Sequence, residues 1–161
     1  MPPRIFISYR RSDNQTMTDR IHDWLRRGLG EGAIFKDIDN IPPGRDFRGV
    51  LREATAQCSV MLVVIGKGWV DATDKNGNRR LDNPNDFVRI EIETGLQRDG
   101  IVVIPLLIDG ADMPSDTQLP DSLKELAYKN AFVIHGDPIF KHDMATSVSY
   151  THLTLPTNRE V

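Results

Sequence analysis

The stretch DFVRIEIETGL, residues 86–96, carries two carboxylates, Glu91 and Glu93, two positions apart in a segment with helical apolar spacing. An ionised carboxylate at the wall of a cleft can stabilise positive charge that develops as a bond breaks. On an open helix face the same group only keeps the helix soluble. At about 100° per residue, Val88, Ile92, Gly95 and Leu96 form one core-facing stripe. Glu91 then falls on one flank of the stripe with Phe87, four residues before it, and Glu93 falls on the other with Arg89. The first flank joins a carboxylate to an aromatic ring, as the wall of a binding site does. The second reads as a surface charge pair whose glutamate serves solubility.

The remaining reactive side chains form no comparable group. Cys58 is the only cysteine, precedes an apolar run without a neighbouring His or Lys, and reads as a small buried hydrophobe. His22, His135, His142 and His152 are scattered, and no His, Cys, Asp or Glu spacing resembles a metal site. GKGW, residues 66–69, lacks both the first glycine of a phosphate loop and the Ser or Thr after its lysine, so it reads as an ordinary glycine loop. A phosphoacceptor receiver domain would need an acidic pair after its first strand, an aspartate ending the third and a lysine ending the fifth. The corresponding stretches here are SYRRSD, IGKGW and HGD, which leave two of these roles without a candidate.

The elements that must position Glu91 are legible from punctuation and periodicity. RIFISY reads as a first strand, with SDNQ supplying capping side chains for a helix over residues 16–27. Residues 33–35 form a second short strand, and KDIDNIPPGRDF is a loop, because its Pro-Pro-Gly pieces forbid regular structure. A helix over residues 47–56 leads to SVMLVVI, whose unbroken apolarity suits a strand covered on both faces. A long polar loop precedes the glutamate-bearing helix, which Gly100 ends. IVVIPLLI, a short helix at SLKELA and a fifth strand at AFVIHG follow. Alternating strands and helices predict an α/β domain with a five-stranded parallel sheet, whose ligands bind where loops leave the carboxyl ends of the strands.

The 161 residues suffice for one domain, and 20 Lys and Arg against 23 Asp and Glu give a formal charge of −3, which indicates neither a nucleic-acid nor an anionic-membrane partner. The longest apolar runs fall far short of a membrane span. The lone cysteine and the absence of a hydrophobic signal core point to a reducing cytoplasm. Residues 141–161 are expected to be an irregular tail. They contain no clean helical stripe, and VSYTHLTLPTN resembles translated adapter read-through, so the domain is placed at 1–140 with its final helix missing or degraded.

IFISYRRSD, FKDIDNIPPG, VMLVVIGKGW, DFVRIEIETGL and VIPLLIDGADMP, in that order, resemble the Toll/interleukin-1 receptor (TIR) domain in a bacterial version, over about residues 4–135. The resemblance implies a flavodoxin-like fold and an assembly loop containing Ile41, Pro42, Pro43 and Gly44. It also implies cleavage of NAD, as substrate and not cofactor, at the nicotinamide bond, with Glu91 as the catalytic carboxylate. Phe87 stands where the family has tryptophan, which keeps a ring and loses an indole N–H. Tyr9, Arg10 and Arg11 would line the cleft, one arginine meeting the pyrophosphate, and Asp37 and Phe47 would contact adenine or ribose. Water or an adenine nitrogen would be the acceptor, giving ADP-ribose or a cyclic isomer. The implied partners are other TIR domains, and a sensor or oligomerisation domain downstream. A non-catalytic TIR–TIR interaction module is the competing reading.

Overall fold

A computed structural model describes residues 4–35 and 43–153. Five strands, β1 (Ile5–Ser8), β2 (Ile34–Phe35), β3 (Val60–Ile65), β4 (Val102–Leu107) and β5 (Phe132–Val133), form one sheet. Every pairing is parallel and the order is β2-β1-β3-β4-β5. This is the flavodoxin-like order, in which the chain reverses its direction of travel between β1 and β3 and opens a crevice at their carboxyl ends.

Helices α1 (Gln15–Leu29), α2 (Phe47–Ala56), α3 (Phe87–Gln97) and α4 (Phe140–Leu153) cover the two faces. Successive strand side chains alternate between the faces. Ile5 and Ile7 therefore join the core with Met17, Ile21 and Leu25 of α1 and Phe140 and Met144 of α4. Phe6 joins the other core, with Leu51 of α2 and Val88 and Ile92 of α3. β3 contributes to both, and all six of its residues are buried, as its continuous apolarity requires. Helix α3 lies so close to the sheet that a Cβ on Gly95 would meet Met61 Sδ at 2.7 Å. The glycine in the expected core stripe thus leaves room for the end of the Met61 side chain, which would have to shift for a larger residue.

Helices α1 and α3 each begin where a side chain satisfies an open amide. The Asn14 side chain accepts from the Met17 N–H at 2.9 Å, and the Asp86 side chain accepts from the Arg89 N–H at 3.1 Å. The expected short helix at SLKELA is a 3-10 helix, Asp121–Tyr128. Ala33 closes a 3-10 turn instead of opening β2.

The C-terminal expectation needs correction. Residues 141–153 of the segment read as irregular belong to α4, Phe140–Leu153, which puts Phe140, Met144 and Ser147 against the α1 side of the sheet. Among its described residues Phe140 and Met144 are the large buried apolar side chains, and Ser147 donates to the Asp143 carbonyl at 3.0 Å. Pro138 precedes the helix and does not interrupt it.

Candidate active site

β1 and α3 build the centre of the site together. Phe6, Ser8 and Arg10 recur at the two-residue period that carries side chains toward α2 and α3. Arg10 and Asp86 meet as a fork on a carboxylate, with Nη1–Oδ1 3.1 Å and Nη2–Oδ2 2.9 Å, both side chains nearly fully buried. Asp86 is also the cap of α3, so this pair fixes where the helix starts. Five residues on, Glu91 is 8% exposed, and its Oε1 accepts a hydrogen bond from Ser8 Oγ at 2.8 Å.

An aromatic pair forms the neighbouring wall. Phe47, the first residue of α2, and Phe87, the first of α3, stack with centroids 4.2 Å apart and planes inclined by 16°. Phe87 is 56% exposed, a large apolar surface left in water at the rim of a cleft. Tyr9, Arg11, Phe87 and Glu91 line this cleft of about 520 Å³, together with Arg80 and Asn83 from the β3–α3 connection. The volume lies within the range of small-molecule sites.

The two glutamates thus separate as the helical rotation predicts, with one difference. Glu93 does pair with Arg89, at 2.9 Å, but it also accepts from Ser122 Oγ at 2.6 Å and is only 19% exposed. It ties α3 to the 3-10 helix and is not a freely solvated charge. Arg10, expected among the cleft-lining residues, does line it, yet its fork is occupied by Asp86. Arg11 stands at the exposed rim. Pro43 and Gly44 are exposed in a turn, while Asp37, Ile41 and Pro42 lie outside the described residues.

Ser8, Asp86 and Arg80 were not singled out from sequence. Ser8 leaves a signal, a hydroxyl ending an apolar strand, which must find a partner once buried. Asp86 was read only as the start of a helix. Arg80 sits in a polar loop where nothing distinguishes it from Arg79.

The GKGW loop has a structural role. It packs on the β1–α1 connection, where Gly68 N–H donates to Asp13 Oδ1 at 3.1 Å and a Cβ on Gly66 would sit 2.9 Å from Asp13 Cγ. Burial pushes the Asp13 carboxyl above its ordinary value, against the opposing effect of the Gly68 and Gly66 amides and Arg10. Burial also pushes the Cys58 thiol up to about 12, with Arg4 opposing, which leaves no thiolate for nucleophilic chemistry at neutral pH. Among the described residues no three His, Cys, Asp or Glu side chains gather as a metal site, and no helix is long and apolar enough to cross a membrane.

Fold and site together define a flavodoxin-like α/β domain with a carboxylate-bearing cleft beside its topological switch point. The sequence profile of the TIR domain matches residues 5–137, and the chain belongs to that family. Among solved structures it is similar to the TIR domains in the activated Roq1 resistosome directly recognizing the pathogen effector XopQ. That match has a TM-score of 0.60 at 13% identity and covers 92% of this chain and 96% of that one. At this identity the likeness speaks for the fold alone. No curated protein matches the chain in sequence.

Proposed function

We propose that this TIR domain cleaves NAD at the nicotinamide–ribose bond, with Glu91 as the catalytic carboxylate. The observation that carries the reading is Glu91 itself, a buried carboxylate at the wall of an open cleft, one helical turn from the exposed ring of Phe87. A glutamate present only for solubility would not be buried there.

The reaction needs few protein groups. The C1′–N bond breaks with both electrons leaving on nicotinamide, which is cationic in NAD and departs neutral. No acid has to protonate it, so the second carboxyl of ordinary glycosidases is not required. Positive charge develops on the ribose, and the ionised Glu91 stabilises it. Water then adds at C1′ and loses a proton, giving ADP-ribose, or an adenine nitrogen adds and gives a cyclic isomer. The stacked Phe47 and Phe87 offer a face to a planar ring. Tyr9 and Arg11 border the dinucleotide, and an arginine, Arg11 or Arg80, meets the pyrophosphate. Asp37 contacts adenine or ribose.

The protein acts in a bacterial signalling or defence system in the cytoplasm, and self-assembles through the loop containing Ile41, Pro42, Pro43 and Gly44. The domain probed in the assay should therefore be assembled. Chromatography of its reaction with NAD tests the reading, with release of nicotinamide and ADP-ribose or a cyclic isomer expected. Intact NAD after prolonged incubation of assembled protein would leave the interaction module as the correct reading.

A further inference from the structure

We infer that Ser8 is the positioning residue for Glu91, holding the carboxylate in the orientation that the ribose meets. The inference rests on the NAD-cleaving reading above. Ser8 is completely buried at the end of β1, on the sheet face that α3 covers, and its Oγ lies 2.8 Å from Glu91 Oε1. A carboxylate oxygen only accepts, so the serine hydroxyl donates its single proton to it. A buried hydroxyl without a partner is costly, and a charge-assisted bond is among the stronger ones.

Geometry separates orientation from support. β1 lies between β2 and β3 in the sheet, a rigid base compared with the three side-chain torsions of a helical glutamate. β1 and the segment just after it grip α3 twice: Arg10 takes Asp86 at the helix cap and fixes the helix, while Ser8 takes Glu91 and fixes its carboxylate. The walls of the cleft include Arg10 and Glu91 but not Ser8, so the serine reaches the reaction only through the glutamate. A site whose carboxylate is held before substrate arrives avoids reorganisation as charge develops.

Steady-state kinetics on assembled parent, Ser8→Ala, Ser8→Cys and Ser8→Thr, with a melting temperature for each, tests this. Ser8→Ala loses the donor and Ser8→Cys keeps the shape with a weak donor. Both should lower kcat roughly ten- to a hundredfold, the range for a hydrogen bond to a charged group, with KM within about twofold. Ser8→Thr keeps the O–H and should recover most of kcat. Parent-like kcat in Ser8→Ala or Ser8→Cys overturns the positioning role, as does a loss that Ser8→Thr shares and that follows melting temperature. If the parent cleaves NAD and Glu91→Ala does not, either result sinks the serine alone. If the assembled parent does not cleave NAD, the functional reading falls and the serine's role with it.

Discussion

Glu91 and Glu93 stand two residues apart on one helix, and their different environments follow from rotation about its axis. The position of Glu91 beside Phe87 was legible, because four residues return a side chain to the same flank. Its partner was not, since Ser8 lies 83 residues away and only the sheet register brings it near. The burial of Glu93 was hidden for the same reason, as Ser122 arrives from a different element. Cys58 was legible as an inert thiol from its apolar neighbours, and its hydrogen bond to the Ala54 carbonyl at 3.3 Å agrees with that. With the thiol pushed up to about 12 by burial, native protein at pH 8 should resist alkylation, while urea-unfolded protein should react fully. Rapid modification of the folded protein, read by mass spectrometry, would show that the thiol is not sequestered.

At the scale of elements, the start of α3 depends on two buried charges. Asp86→Ala removes the helix cap and leaves Arg10 buried without its carboxylate, which should cost roughly 3–5 kcal/mol in urea unfolding. Replacing both partners with apolar residues of similar size should cost much less, because no charge is then left unpaired. Equal losses would mean that the pair itself, and not the orphaned charge, carries the effect. The contact between the β1–α1 and β3–α3 connections makes a pH prediction. The folded-state pKa of Asp13 is raised, so the folded protein binds that proton at higher pH than the unfolded chain does. Asp13 therefore weakens the fold at neutral pH, and this penalty is relieved as pH falls through the raised value toward 3.8. Asp13→Asn lacks that relief, so its stability relative to the parent should decline over the same interval. A relative stability that rises on acidification would contradict the direction of the shift.

At the scale of the whole molecule, the alternation of apolar strands and amphipathic helices was enough to read a parallel five-stranded sheet. Strand order was not readable from periodicity, which says which face a residue takes but not which strand lies beside it. Its consequence is functional: with β1 next to β3, the end of the first strand and the helix after the third converge, and residues 9–11 meet residues 86–91 in one cleft. Helix α4 escaped because Phe140, Met144 and Ser147, its described buried residues, make only a faint stripe in the sequence. The central claim is that this fold presents one of its two α3 glutamates to NAD and uses the other to hold the helix. NAD consumption by assembled parent, Glu91→Ala and Glu93→Ala tests it most directly. Turnover should be lost in Glu91→Ala and retained in Glu93→Ala, the latter with a stability loss of about 1 kcal/mol from its missing hydrogen bonds. Parent-level turnover in Glu91→Ala, or loss confined to a well-folded Glu93→Ala, would contradict it.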